Sequence, residues 1–405
     1  MTSRVRVALF TALAVVGSGV VLFQAAAHPH QVPYTFVTVD APVPGAGSTA
    51  VVGINERGDI VGSYNFIPGA GLFGLPPGFL GKGFVWTRNG KFTTIDGPGP
   101  VNAASCNPPQ SFSNCYYIEA RGINDRGDVV GAYTQDVFAQ PGGLFHAFVK
   151  PQGAAFKSYL FPGHTNTIFQ RITDSGLIYG CFHDVGVDDS PQDSMHGITN
   201  QLGPNNSIKN VTFSVEPTTM NTGGSGESGS YTGVWYDYTT SRHRAFIMDH
   251  GKRTNFDMPG SNMTNAWDMN SSGDVVGVWG NNPDPVVIDG IPFHGFVRDR
   301  KGNYVSIDVP NSIDTHVFGI NDKGVLVGSY VDQNYNVHGF LAYPGNHERD
   351  AALRPTIVNA AFDPSQLKTA AKVVVGMMPV VPNDKPLLRP AKNAMPACHM
   401  PQHSK

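Results

Sequence analysis

One motif governs what this chain can become. Gly53-Ile54-Asn55-Glu56-Arg57-Gly58-Asp59-Ile60-Val61-Gly62-Ser63-Tyr64 returns nearly unchanged at 122–133 and again at 319–330. Weaker copies run from Ile172 to Phe182 and from Met269 to Trp279, and the most eroded from Gly229 to Trp235. Six copies, roughly 50 residues apart, describe a repeat fold in which each unit buries its apolar face against its neighbours.

Each copy reads as a β-hairpin. An apolar run ends, usually at Asn, two polar residues turn, and Gly58, Gly127, Gly176, Gly273 or Gly324 takes the left-handed position that reverses the chain. A second glycine lies inside the returning strand of every copy, at Gly62, Gly131, Gly180, Gly233, Gly277 and Gly328, which predicts close approach of another backbone. Two residues later comes a ring, Tyr64, Tyr133, Phe182, Trp235, Trp279 or Tyr330, expected to pack between neighbouring sheets.

A third strand opens with a basic residue, at Lys82, His146, His196, Arg244, His294 and His338. A fourth alternates, as in Phe92-Thr93-Thr94-Ile95-Asp96 and Val305-Ser306-Ile307-Asp308. The 47 glycines and 31 prolines leave no room for long helices between these segments. Four short strands, six times over, predict an all-β fold, a six-bladed β-propeller of four-stranded blades. The ends supply a check. The sixth repeat lacks a fourth strand, and the chain begins with an orphan one, Tyr34 to Asp40, which would complete the last blade and close the ring.

These residues resemble the HAF-type extracellular repeat family of bacteria, whose name matches His146-Ala147-Phe148 and whose hairpin matches the Gly-Ile-Asn copies. The resemblance covers roughly residues 34 to 345 and implies an exported bacterial repeat protein, with no shared catalytic residues to carry over. The fourth copy departs from the pattern, since Gly226 falls at the Asn position.

Arg4 and Arg6, the apolar stretch Val7 to Phe23 and the small residues Ala25-Ala26-Ala27 predict a secretory signal over residues 1–27. The propeller is expected over 28–345, followed by an Ala- and Pro-rich tail, 346–405, with a short helix possible from Pro364 to Val375. No other segment is long and apolar enough to span a bilayer, so the expected mature chain has no membrane span and lies outside the cytoplasm. Export makes the four cysteines candidate disulfide partners, and Cys106 and Cys115, bracketing a short polar insertion, are the expected pair; Cys181 and Cys398 are left open.

A net charge of −3 with no basic cluster excludes a phosphate-binding footprint, so nucleic acid is not an expected partner. No motif calls for a cofactor or a metal. The basic residues opening the third strands are expected to bond within their own blades, and Arg57-Gly58-Asp59 and Arg126-Gly127-Asp128 are explained by hairpin chemistry rather than by adhesion. The acidic insertion from Asp184 to Asp193 fits no calcium loop, and no wider pattern supports copper at His28 and His30 or a metal at Cys398, His399, Met400 and His403.

The informative segments are the connections from each fourth strand into the next blade, which surround one mouth of a propeller's channel. Their polar residues, His164, Asn166, Asn221, Asn262, Asp314 and His316, are the candidate ligand-binding set for a glycan or a cell-surface protein. The expected protein is therefore a monomeric, non-enzymatic binding or scaffold propeller. The alternative is a secreted polysaccharide hydrolase or lyase working from His164, Asp314 and His316, although no serine elbow, metal helix or paired carboxylate supports it.

Overall fold

The computed structural model describes residues 34–345 apart from 66–80, 98–105, 108–110, 113–116, 135–144, 184–194, 215–218, 225–228, 282–292 and the single positions 165, 238, 241 and 335. β1 (Tyr34–Val39) precedes blade 1, made of β2 (Thr49–Ile54), β3 (Ile60–Asn65), β4 (Gly81–Trp86) and β5 (Phe92–Ile95). A small ribbon, β6 (Cys106–Asn107) and β7 (Ser111–Phe112), intervenes. Blade 2 is β8 (Tyr117–Ile123), β9 (Val129–Thr134), β10 (His146–Lys150) and β11 (Lys157–Tyr159). Blade 3 is β12 (Asn166–Ile172), β13 (Leu177–His183), β14 (His196–Leu202) and β15 (Ile208–Phe213). Blade 4 is β16 (Thr219–Gly224), β17 (Tyr231–Asp237), β18 (Arg242–Asp249) and β19 (Lys252–Phe256). Blade 5 is β20 (Met263–Met269), β21 (Val275–Gly280), β22 (His294–Arg298) and β23 (Tyr304–Ile307). Blade 6 takes β24 (Asp314–Ile320), β25 (Leu326–Val331) and β26 (Val337–Pro344) and is completed by β1.

The result is the expected six-bladed propeller, closed by its first strand. β1 pairs antiparallel with β26 from Tyr34 opposite Pro344 to Val39 opposite Gly339. The join repeats the chemistry of the other blades. His294 bonds Asp308 at 2.7 Å and Lys82 bonds Asp96 at 2.6 Å, each linking the third strand of a blade to the end of its fourth. His338 meets Asp40 at 2.9 Å in the same way, across nearly the whole chain. Five of the six basic openers thus bond within their own blades, as expected, while His146 lies against the Tyr133 ring at 5.5 Å.

The motif's residues explain the hairpins. Gly58, Gly127, Gly176, Gly273 and Gly324 have φ between +74° and +87°. Every inner strand carries a bulge just before its end, between Val51 and Gly53 in blade 1 and at the equivalent position in the other five. The bulge pushes a carbonyl toward the second strand: a Cβ on Gly62 would lie 2.0 Å from the Ala50 oxygen, and one on Gly131 only 1.8 Å from that of Glu119. The in-strand glycine of the second strand faces the bulge of the inner one and makes room for it. The rings two residues on pack between neighbouring sheets as expected, Tyr64, Tyr133, Phe182, Trp279 and Tyr330 each joining a cluster shared by two adjacent blades. Four of them lie over the basic opener of their own third strand, as Trp279 does on His294 at 4.7 Å.

Apolar faces of adjacent blades pack on each other to form the core. One cluster joins blades 1 and 2 through Val61, Ile95, Ile118 and Phe148, and another joins blades 6 and 1 through Leu341, Val327, Val51 and Phe84. A separate cluster, including Ile168, Met220, Met263, Trp267 and Phe318, runs along the inner strands themselves.

The Asn of the motif ties neighbouring blades together at the hairpin end. Asn55 Nδ2 donates to the Asn124 carbonyl at 3.1 Å, Asn270 Nδ2 to the Asn321 carbonyl at 3.4 Å, and Asn321 Nδ2 to the Asn55 carbonyl at 3.2 Å. The next residue round the ring caps a turn: the Ser271 amide donates to Asp322, the Asp322 amide to Glu56, the Glu56 amide to Asp125 and the Asp125 amide to Asp174. Because the link from blade 6 to blade 1 is one of this series, the girdle crosses the closure without a break.

Candidate functional site

The innermost strands β2, β8, β12, β16, β20 and β24 contact one another in a closed circle and line the axis. The positions four residues before the end of each are equivalent round the ring and make one tier, Ala50, Glu119, Ile168, Met220, Asn265 and His316; the positions two residues later make the next, Val52, Arg121, Gln170, Thr222, Trp267 and Phe318.

At the mouth where fourth strands hand over to inner ones, the six candidate residues divide. Asn166 is fully buried, and its side-chain oxygen accepts the Phe145 amide at 2.7 Å. Asn221 is buried in β16 against Gly197 and Thr199. These two hold blades together. His164, Asn262 and Asp314 are partly exposed. His164 lies on the Phe182 ring at 4.1 Å, Asn262 donates to the Asn281 carbonyl at 3.2 Å, and Asp314 accepts the Phe293 amide at 3.1 Å. His316 is buried beneath Asp314, its Nε2 3.2 Å from the Asp314 carboxylate and its ring edge-on to Phe293 at 5.5 Å. The structure therefore brings Asp314 and His316 together.

The channel also holds something the repeat analysis missed. Four blades have glycine at the bulge beside the hairpin, Gly53, Gly122, Gly223 and Gly319; blade 3 has Arg171 there and blade 5 has Asp268. Arg171 Nε lies 3.1 Å from Asp268, and both side chains are about nine-tenths buried. Nη1 donates to the Arg121 and Gln170 carbonyls at 2.6 and 2.7 Å, and Nη2 to the Val52 carbonyl at 2.9 Å and to that of Phe318. The four Nη N–H groups thus reach carbonyls of blades 1, 2, 3 and 6, and the ion pair with Asp268 reaches blade 5. Asp268 in turn accepts the Met269 and Ile320 amides at 2.9 and 3.3 Å and fills the space beside Gly223 of blade 4. Burial pushes the Asp268 carboxyl upward, against Arg171 and those two amides, which pull it down. This is a hub at the axis, and it touches all six blades. Its sequence signal was the departure itself: the two weaker copies begin Arg171-Ile172 and Asp268-Met269 where the strong ones begin Gly-Ile.

A second network lies one tier higher. Arg121 bonds Glu119 through Nε at 2.8 Å and Gln170 through Nη1 at 2.8 Å, all buried.

On the hairpin side of the hub the channel opens into an axial pocket of about 170 Å³. Its floor is Arg171 and Asp268, its collar Ile54, Ile123, Ile172, Met269 and Ile320, and its rim includes Glu56, Asp174 and Asp322; Gly224 stands where the other blades carry Ile or Met. Burial raises the Glu56 pKa, and the neighbouring Asp322 and Asp125 charges add to the shift.

The tempting tripeptide is a turn: Asp59 is buried, receiving Arg57 Nη2 at 2.8 Å and the Arg88 amide at 2.9 Å. Among the described residues no His, Cys, Asp and Glu group could hold a metal, and no helix is long and apolar enough to cross a membrane. Cys115 lies outside the described residues, so the expected Cys106 pairing does too; Cys181 is fully buried in β13. The signal segment, the tail, the acidic insertion and the amino-terminal histidines also lie outside them.

No known family profile matches the chain, and no curated protein matches it. Solved structures do. TolB from Acinetobacter baumannii is 11% identical over 67% of this chain and 61% of its own, with a TM-score of 0.39. This chain therefore spans less than two thirds of that protein. The β-propeller domain of the Trilobed protease from Pyrococcus furiosus is 9% identical over 73% and 94%, TM-score 0.39. A gluconolactonase from Xanthomonas campestris is 9% identical over 74% and 87%, TM-score 0.38. Likeness at this level carries no argument about activity. The class of protein is defined by the chain's own sheets: a six-bladed β-propeller with a sealed axial hub.

Proposed function

We propose that this chain is an exported, monomeric repeat protein of the HAF type that acts as a non-enzymatic binding or scaffold propeller, contacting a glycan or a cell-surface protein at the channel mouth. The observation that carries the reading is the placement of His164, Asn262 and Asp314, partly exposed polar groups from blades 3, 5 and 6 at one end of the ring. His164 adds an aromatic ring, tilted against Phe182. A glycan offers hydroxyls to the polar atoms and C–H faces to the rings, which is the pairing such a rim suits.

The test is a glycan array scored together with release of reducing ends from the same samples. Retention of one glycan class, weakened by Asp314→Asn and His164→Ala without product, supports the reading. Absence of retention from every glycan and from intact cell envelopes sinks it. One observation favours the alternative, a secreted polysaccharide hydrolase or lyase: Asp314 and His316 stand 3.2 Å apart, within reach of a proton relay. Reducing ends that appear with the wild type and vanish in His316→Ala would decide for it.

A further inference from the structure

The seams between blades are not alike. Among the described residues, five of the six have an apolar cluster of their own. The seam between blades 3 and 4 has none, and its two faces share only the cluster at the axis, through Ile168 and Met220. Strand register shows the reason. Thr199 takes the third-strand place held by Val85, Val149, Ile247, Val297 and Leu341 in the other blades. Tyr179 pairs with it where blades 1, 2, 5 and 6 have Val. On the facing side, Asn221 replaces Val51, Ala120, Phe169, Ala266 or Val317, and Tyr231 replaces an Ile, Val or Leu. Four polar side chains thus stand in a contact that is apolar elsewhere, and burying them stabilises less.

The bonds across this seam do not make up the difference. Asn221 Nδ2 donates to Thr199 at 3.4 Å, near the limit of a hydrogen bond. Gln170 Nε2 meets the Met220 sulfur at 3.2 Å, and a thioether is a weak acceptor. The Asn link of the girdle is missing too: blade 3 has Thr173 at that position, and its hydroxyl serves Ser175 and the Leu177 amide of its own hairpin. The hub bonds blades 1, 2, 3, 5 and 6, whereas blade 4 meets it only where Gly223 packs on Asp268. Blade 4 is held better on its other side. There Thr222 Oγ1 donates to the Ala266 carbonyl at 2.9 Å, and Ala245 and Phe256 join Ala266 and Phe296 of blade 5.

We propose that the ring opens sideways between blades 3 and 4. Blade 4 swings on its packing against blade 5, while the hub keeps the other five blades together. The join between blades 6 and 1, where the chain ends meet, stays shut because Leu341, Val327, Val51 and Phe84 pack there. An open seam uncovers Gln170 and Met220 and gives a small solute a lateral route to the axis, whatever the mouth binds.

Amide exchange of the unmodified full chain, read residue by residue by magnetic resonance, tests this. Thr167, Thr219 and Thr315 hold one position round the ring, each donating its amide to the preceding blade, at 2.9, 3.2 and 3.0 Å. Thr219 should exchange at least about tenfold faster than the other two. The amides inside blade 4's own sheet should stay as protected as those of blade 5. A second measurement follows thiol labelling of Thr199→Cys, Val85→Cys and Val297→Cys under native conditions, each variant first shown to be folded by a thermal scan. Thr199→Cys should react about tenfold faster than the others. Adding Asn221→Val, which copies Val51 against Gly339 and Val317 against Gly295, should slow it about fivefold. Equal exchange at the three threonines, or equal labelling at the three cysteines, would show that this seam opens no more readily than its neighbours and would overturn the proposal. Protection lost throughout blade 4 would mean that the blade unfolds instead of swinging, which overturns it as well.

Discussion

Replacing Arg171 by Met removes the one side chain that bonds directly to five blades while keeping most of its aliphatic bulk. Four carbonyl oxygens lose a charge-assisted donor, and Asp268 is left buried without its counter-ion. Breaking a buried pair from one side typically costs about 3–5 kcal/mol, because the orphaned charge remains in the interior. For a ring of this size the unfolding entropy is roughly 0.65 kcal/mol per degree, so the melting temperature should fall by about 5–8 °C. Asp268→Asn should fall in the same range by stranding the guanidinium. The double substitution Arg171→Met, Asp268→Asn leaves neither charge behind and should cost at least about 2 kcal/mol less than the two single losses added together. Calorimetric unfolding of the four proteins at one pH measures all of this. Additive losses, or a loss below about 1 kcal/mol for Arg171→Met, would refute the view that the pair fastens the blades at the axis.

Gly62→Ala places a methyl 2.0 Å from the Ala50 carbonyl oxygen and should either prevent folding or cost more than about 3 kcal/mol by chemical unfolding. Gly90→Ala, at φ +89° with open space around it, should cost only about 1 kcal/mol, so similar losses at the two sites would contradict the bulge explanation. The hydrogen bond to Asp40 raises the His338 pKa against the opposing effect of burial. A raised histidine contributes stability that is complete below its unfolded value, about 6.5, and is lost as pH rises through the folded value. The advantage of the wild type over His338→Asn should therefore be largest near pH 5.5 and shrink toward pH 8.5; an advantage that grows with pH would contradict the bond to Asp40.

Architecture was legible in the sequence because each blade repeats one physical solution. The turn glycines, the glycine facing the bulge and the basic residue paired with a fourth-strand carboxylate are local requirements, so they recur and can be counted. The orphan strand Tyr34 to Asp40 was legible for the same reason, as a missing member of a set. What could not be read was where the set is broken on purpose. Arg171 and Asp268 occupy a glycine position, lie 97 residues apart in sequence and meet only because the ring brings blades 3 and 5 to one axis. A repeat comparison discounts such positions as erosion, although they carry the hub. The mouth residues illustrate the opposite limit. Asn166 and Asn221 are of the type that binds sugars, yet both are buried in blade structure, and composition alone does not distinguish them from Asp314 or Asn262.

The whole account rests on β1 being the outer strand of the last blade, and amide hydrogen exchange of the unmodified protein reads this directly. Peptides covering Tyr34–Val39 should exchange as slowly as those covering the covalently continuous outer strand Lys252–Phe256. Complete exchange of Tyr34–Val39 at the first time point, with Lys252–Phe256 still protected, would mean an open ring, and the continuous girdle and axial hub could not stand as described.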